Sequence, residues 1–222
     1  LPESMNHPQP NLPTVAVFDF DGTLTTRDSF FPFLHMAVGR SRFYWGLLRV
    51  SGILAAYAVG LMKNWRAKEA VVKHFLGGLP EAKLQPLGEE FAQKHIAKLL
   101  RSEAIERLHW HQNQGHKTIL VSASMEVYLI PWAKAMGFDR TIGTQLESCD
   151  GILTGRFQGR NCHGPEKVDR LQTVLGDLSQ YCIYAYGDSK GDRELLAAAT
   201  YPYYRTFADI RNSTPTQQQE VS

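Results

Sequence analysis

Three short apolar runs constrain what this chain can fold into more than any other feature. Val15-Ala16-Val17-Phe18 ends at Asp19, Thr118-Ile119-Leu120-Val121 ends at Ser122, and residues 181–186 (YCIYAY) end at Gly187-Asp188. Runs this short, rich in β-branched and aromatic residues and without polar alternation, read as strands buried on both faces of a parallel sheet. Ligands of open parallel sheets bind beyond the carboxyl ends of the strands. Asp19, Ser122 and Asp188, remote in sequence, are therefore expected at one rim.

The segments between the runs are predicted to be mostly helical. Residues 89–108 carry Phe91, Ile96, Leu99, Leu100, Ile105 and Leu108 at helical spacing and predict one helix. Residues 125–136 predict another, with Pro131 counting against it, and 164–175 and 192–199 predict two more. Residues 142–157 alternate instead, and Asp150-Gly151 is a hairpin turn signal. The expected fold is α/β, a doubly wound parallel sheet with an inserted helical cap. Residues 14–27 plus 101–210 would form the core and 28–100 the cap, with 1–13 and 211–222 as flexible polar termini.

Composition narrows the function. With 43% hydrophobic and 21% charged residues, the chain has the means to bury a sizeable core. A net charge of +2 argues against a nucleic-acid partner held by bulk charge. Cys149, Cys162 and Cys182 make no CxxC pair, so neither a disulfide framework nor a zinc ribbon is expected. Together with the lack of a secretory signal in the polar, Pro-rich opening, they predict reduced thiols and a cytoplasmic protein. His109 and His111, two residues apart, would not face each other on a helix, which argues against a metal pair.

The chemistry concentrates in Asp19-Phe20-Asp21-Gly22-Thr23-Leu24-Thr25. Two carboxylates at this spacing converge once the chain leaves extended geometry, and Gly22 permits the tight turn this needs. One carboxylate can attack phosphorus while the other protonates the leaving oxygen and later activates water. Each residue also has a plainer reading. The heptapeptide could be an ordinary loop, Ser122 a helix N-cap, Lys167 a surface lysine, and Asp188 and Asp192 turn and cap residues.

DFDGTLT resembles the first motif of the haloacid dehalogenase superfamily of phosphatases, and similar matches to the other motifs follow in order. Ser122 in VSAS is similar to the second, Lys167 in HGPEK to the third, and Gly187-Asp188-Ser189-Lys190-Gly191-Asp192 to the fourth. The resemblance spans residues 14–205. It implies a Rossmann-like core and a Mg²⁺-dependent phosphomonoester hydrolase working through an aspartyl-phosphate. It implies Asp19 as nucleophile, Asp21 as acid and base, and Ser122 and Lys167 as further catalytic groups. Gly22, Thr23, Ser122, Ala123 and Lys167 would surround the phosphoryl group. Asp19, Asp21 (through its backbone carbonyl), Asp188 and Asp192 would serve the metal, whose preference for oxygen ligands suits them. The position of the insertion matches subfamily IB, which includes phosphoserine phosphatases. NCHGPEK and YGDSKGD are similar to a branch of it that includes C-type phosphatidylglycerophosphatases. Phosphoserine phosphatases carry Glu nine residues after the nucleophile; here that position is Asp28, with the same charge and a shorter reach.

Residues 43–62 (FYWGLLRVSGILAAYAVGLM) contain one charge, Arg49. The uncharged stretch, residues 50–62, falls short of the roughly 20 apolar residues a spanning helix needs, so a buried or interfacial helix is predicted. Residues 29–80 hold Arg40, Arg42, Arg49, Lys63, Arg66, Lys68 and Lys73 against Glu69 alone, a net +6. This suits an anionic membrane surface or an amphiphilic anionic substrate. It equally suits a helix packed within the cap or at a dimer interface. Three functions stay open. One is a phosphatase of a lipid phosphate such as phosphatidylglycerophosphate, with residues 43–62 in peripheral contact at the inner face of the membrane. Another is a soluble, phosphoserine-like small-metabolite phosphatase. The third is a non-catalytic phosphate-binding or membrane-associated scaffold. Phosphotransfer to an alcohol is not separated from hydrolysis, and the sequence sets no oligomeric state.

Overall fold

Strand β1 (Thr14–Phe18) forms the middle of a five-stranded sheet in which every neighbour is parallel. On one side lie β2 (Lys117–Met125) and β3 (Arg140–Thr144); on the other lie β6 (Cys182–Gly187) and β7 (Tyr201–Tyr204). The computed structural model describes residues 12–207, so the expectations for 211–222, and for all but two residues of 1–13, fall outside the described residues. The strand order reverses at β1, which places the crevice for a ligand at the carboxyl ends of β1 and β6.

Alternate residues of each strand enter different cores. Val15 and Val17 join Ile119, Val121, Ile183 and Ala185 beneath α7 (Pro165–Leu175) and α8 (Arg193–Ala197). Ala16 and Phe18 join Leu120 and Tyr186 on the opposite face, against α5 (Ser102–Asn113) and α6 (Glu126–Ala135). Both faces are covered, which is why the three runs show no polar alternation.

Four helices are inserted between β1 and α5: α1 (Phe30–Val38), α2 (Arg40–Ala58), α3 (Asn64–Leu76) and α4 (Glu81–Lys94). The chain leaves and returns side by side, with the Thr26 N–H donating to Leu99 O (2.7 Å) and the Arg101 N–H to Leu24 O (2.9 Å). This corrects the single helix expected over 89–108. Helix α4 stops at Lys94, a 3₁₀ turn covers Ile96–Lys98, and α5 starts at Ser102. Leu99 and Leu100 keep the apolar spacing, but their backbone is taken up by the return crossing, where Thr25 and Leu100 form a β-bridge.

Residues 142–157 also divide differently from the expectation. The stretch to Thr144 belongs to β3 of the main sheet, and only β4 (Leu146–Cys149) and β5 (Ile152–Phe157) form the hairpin. Its two-residue turn has positive φ at both Asp150 (50°) and Gly151 (75°), the geometry that matches the twist of paired strands. The hairpin packs on α3, where the Phe157 N–H donates to Glu69 Oε1 at 2.9 Å. Pro131 does not break α6. It lacks the N–H that would bond the Val127 carbonyl, and Gly88 of α4 packs against that carbonyl so closely that a Cβ would lie 2.2 Å from it. Helix α8 is shorter than the expected 192–199 because Ser189 and Asp192 cap a 3₁₀ turn just before it. The two histidines of α5 point apart: His109 is exposed, while His111 is buried between Tyr186 Oη and His116 Nδ1, each 2.8 Å away.

Candidate active site

The end of β1 is tied to β6 by the Asp19 N–H, which donates to Tyr186 O at 2.9 Å. The chain then turns through Phe20–Leu24. Gly22 is required there twice over: its φ is +83°, and a Cβ would lie 2.3 Å from Asp188 Oδ2. The turn is thereby pressed against the loop that follows β6.

Lys167 joins these loops. Pro165 opens α7, and the Gly164 N–H donates to Gly191 O (3.0 Å), so the first turn of α7 is pinned to the loop after β6. Lys167 is only 2% exposed, and its ammonium lies 2.6 Å from Asp19 Oδ1 and 2.6 Å from Asp192 Oδ1. The other oxygen of Asp192 accepts from Ser189 Oγ (2.7 Å) and the Ser189 N–H (3.0 Å). Thr23 Oγ1 donates to Asp188 Oδ1 at 3.2 Å. Ser122 is buried within β2, not at a helix start, so it is no N-cap; its hydroxyl oxygen accepts from the Ser124 N–H at 3.2 Å. The register pairs Phe18 with Leu120, which sets Ser122 and Ala123 beside the turn that follows Asp19.

The Asp21 carboxylate points away from the acidic cluster: Oδ1 accepts from the Ser29 N–H (2.8 Å) and Oδ2 from Ser124 Oγ, within a buried network that includes Tyr128. Any metal contact by Asp21 would thus be made by its backbone carbonyl, not its side chain. The Gly22 N–H donates to Thr25 Oγ1 at 3.2 Å.

Lys68 is a site residue that the sequence reading missed. It reaches from α3 to donate to Ala123 O at 2.8 Å, over the Phe30 ring and in the field of Asp28 and Asp21. Nothing local marks it, since it is one of seven bases in residues 29–80. Asp28 Oδ1 accepts from the Phe30 N–H (2.7 Å) and so braces the start of α1.

The charges are unevenly balanced. Burial pushes Asp19 up to about 7 against the pull of Lys167, with Asp192 and Asp21 adding to the rise. Burial and the neighbouring Asp28 push Asp21 up to about 6, opposed by its hydrogen bond from Ser124. Burial also raises Asp188, and Asp192 beside it adds to this. Burial alone would raise Asp192 as well, but Lys167 and the Ser189 donors outweigh it and hold this carboxylate below its usual range. Burial would likewise lower Lys167, yet its two carboxylates raise it above an ordinary lysine. Carboxylate oxygens of Asp19, Asp188 and Asp192 come within 4.8 Å of one another. Three carboxylates around one ammonium are short of positive charge, and an all-oxygen donor set of this size fits a small hard divalent cation. Asp19 and Asp188 have the freer oxygens; those of Asp192 are already engaged.

Residues 16–197 match the family model described as haloacid dehalogenase-like hydrolase. The chain is 38% identical to Protein CicA of Caulobacter vibrioides, over 88% of this chain and 87% of that one. It is 29% identical to phosphoserine phosphatase SerB1 of Mycobacterium tuberculosis, over 87% of this chain and 65% of that one. Among solved structures, a protein of unknown function from Bordetella pertussis Tohama I superposes with a TM-score of 0.72 at 26% identity, covering 86% of this chain and 88% of that one.

Proposed function

The chain belongs to the haloacid dehalogenase-like hydrolase family, and on that premise we propose that it is a Mg²⁺-dependent phosphomonoester hydrolase acting through an aspartyl-phosphate on Asp19. The observation that carries this reading is the buried Lys167 ammonium held 2.6 Å from Asp19. It orients a carboxylate nucleophile and keeps a fixed positive charge beside the position a phosphoryl group would occupy.

The steps follow from the side chains. An Asp19 oxygen attacks phosphorus, and the bond from phosphorus to the ester oxygen breaks. Asp21, pushed up to about 6, is close enough to neutral pH to hold a proton for that oxygen. The same carboxylate, once ionised, takes a proton from the water that attacks the aspartyl-phosphate, which releases phosphate and restores Asp19. Ser29 and Ser124 keep Asp21 on the side facing the helical insertion, away from Lys167. Ser122, Ala123, Gly22 and Thr23 border the phosphoryl position. Asp19, Asp188 and the Asp21 carbonyl would hold Mg²⁺, with Asp192 bracing them, and the ion would offset the repulsion between phosphate and attacking carboxylate. Chelation is expected to cut phosphate release at least about a hundredfold, with recovery on adding Mg²⁺. Full activity in chelator would overturn the metal assignment.

Lys68 lies where a substrate's leaving group would meet the insertion. Lys68→Met is expected to raise KM about tenfold or more while kcat changes less, because a binding contact shared by ground and transition state is lost. Burial already lowers the Lys68 pKa, so its charge is not what stabilises the fold, and the melting temperature should hold. Equal losses in kcat and kcat/KM would instead place Lys68 in the chemical step.

Asp28 and Lys68, of opposite sign, suit a small phosphomonoester whose leaving group carries charge, and the similarity to a phosphoserine phosphatase supports such a substrate. A second reading, a lipid phosphate such as phosphatidylglycerophosphate met at the inner face of the membrane, is favoured by the exposed apolar side of α2. The deciding experiment is Mg²⁺-dependent phosphate release from phosphoserine, histidinol phosphate, sugar phosphates, lysophosphatidate and phosphatidylglycerophosphate, the lipids with and without detergent. A lead by a soluble ester supports the first reading and a lead by a lipid the second. No turnover of any ester by folded, metal-loaded protein would favour a non-catalytic scaffold.

A further inference from the structure

Helix α2 divides into two faces. Phe43, Gly46 and Val50 are buried, and Gly46 sits so close to Phe75 of α3 that a Cβ would lie 2.3 Å from that ring. At 100° per residue, positions 45, 48, 52, 55 and 59 recur on the opposite side. That side carries Trp45 (67% exposed), Leu48 (64%) and Val59 (71%), and Leu61 just past the helix is 83% exposed. No charged residue falls on this stripe. Arg40, Arg42 and Arg49 flank it on the same helix, Lys63 and Arg66 follow a few residues after the helix ends, and residues 29–68 contain no Asp or Glu. None of these five cations has a carboxylate partner among the described residues.

We propose that the outer face of α2 docks flat on an anionic lipid bilayer, with Trp45, Leu48 and Val59 entering the headgroup boundary and the arginines and lysines meeting lipid phosphates. The charge pattern selects this occupant. A symmetric contact with a second copy would bring the same patch against itself, setting five cations against five with no carboxylate between them. A bilayer supplies the missing anions and has no fixed shape to match, which suits a convex helix bearing Trp and Leu. The helix lies on the membrane and does not cross it: no helix among the described residues is long and apolar enough to span. The docking does not depend on the reaction at Asp19 or on a lipid substrate, since either could hold without the other.

The test is cosedimentation of the full chain with vesicles of phosphatidylcholine alone and of phosphatidylcholine mixed with phosphatidylglycerol. Hydrolysis of p-nitrophenyl phosphate is measured in the same samples. Binding is expected to be about tenfold or more tighter to the anionic vesicles and to weaken with salt. Trp45→Ser with Leu48→Ser should lose vesicle binding about tenfold or more, and Arg42→Glu with Arg49→Glu should lose it as strongly. Both double variants alter exposed side chains and should hydrolyse the soluble ester within about twofold of the parent. Tight binding to neutral vesicles, no binding at all, or binding that the Trp45 and Leu48 changes leave untouched would overturn the proposal. A concentration-dependent dimer abolished by those same changes would overturn it in favour of a second copy. A chain that binds vesicles but hydrolyses nothing would leave the docking standing and remove the catalytic reading instead.

Discussion

Asp19→Asn is expected to leave a folded protein whose phosphate release falls by at least about 10⁴-fold. An amide is a poor nucleophile toward phosphorus, and the neighbouring carboxylates are held by other partners, Asp188 by Thr23 among them. Asp21 is turned toward Ser29 and Ser124, and the oxygens of Asp192 are engaged by Lys167 and Ser189. The fold should tolerate the change. Burial pushes Asp19 up to about 7, so without a bound cation the folded chain disfavours the charge that Asn removes. Asn keeps an oxygen for the Lys167 ammonium, which also keeps its Asp192 partner at 2.6 Å. Phosphate release, acid-quench trapping of the phosphorylated protein and a thermal melt read the outcome together. A variant with full turnover would remove Asp19 as nucleophile, whereas an unfolded one would leave the role open to trapping experiments on the parent.

Lys167→Met is the companion case, in which activity and stability fall together. Among the described residues the lysine is the one cation bonded to both Asp19 and Asp192, and all three groups are buried. Its removal leaves Asp19, Asp188 and Asp192 with oxygens within 4.8 Å of one another and no ammonium between them. Losing one member of a buried ionic cluster costs about 3–5 kcal/mol, because the partners stay buried and unpaired. Losing a fixed charge beside the transferring group costs about 10²–10³ in kcat. Denaturant melts and kinetics on the same preparation check both. Mg²⁺ should raise the melting temperature more in the variant than in the parent, since the orphaned carboxylates have more to gain from a cation. A variant as stable as its parent would mean that the carboxylates simply protonate in place.

How much of this was legible beforehand depended on how far each signal reaches along the chain. The three apolar runs became the three central strands, because a strand covered on both faces shows no polar alternation, and that mark is local. The edge strand Tyr201–Tyr204 carries no such mark: Tyr201 and Tyr204 are exposed, and its place follows from pairing with β6. The break within 89–108 left no trace in the apolar spacing either, since Leu99 is buried by the return crossing and not by a helix face.

The site divides in the same way. Asp19, Asp21, Lys167, Asp188 and Asp192 could be picked because the short motifs that hold them resemble, in order, those of one family. Which way each side chain faces was a separate matter. Asp21 faces Ser29 and Ser124 because α1 and the end of β2 supply donors on that side, and Gly22 gives its N–H to Thr25 because the turn folds back there. Lys68, one base among seven in its segment, reaches Ala123 only because α3, packed on α2 and the hairpin, is held where its side chain spans to the end of β2. The residues of the candidate site therefore stand in motifs a few positions long. The orientation of the Asp21 carboxylate, the placing of Lys68 from the insertion, and the exposure of one side of α2 all arise from contacts between segments distant in sequence, and no local pattern encodes those.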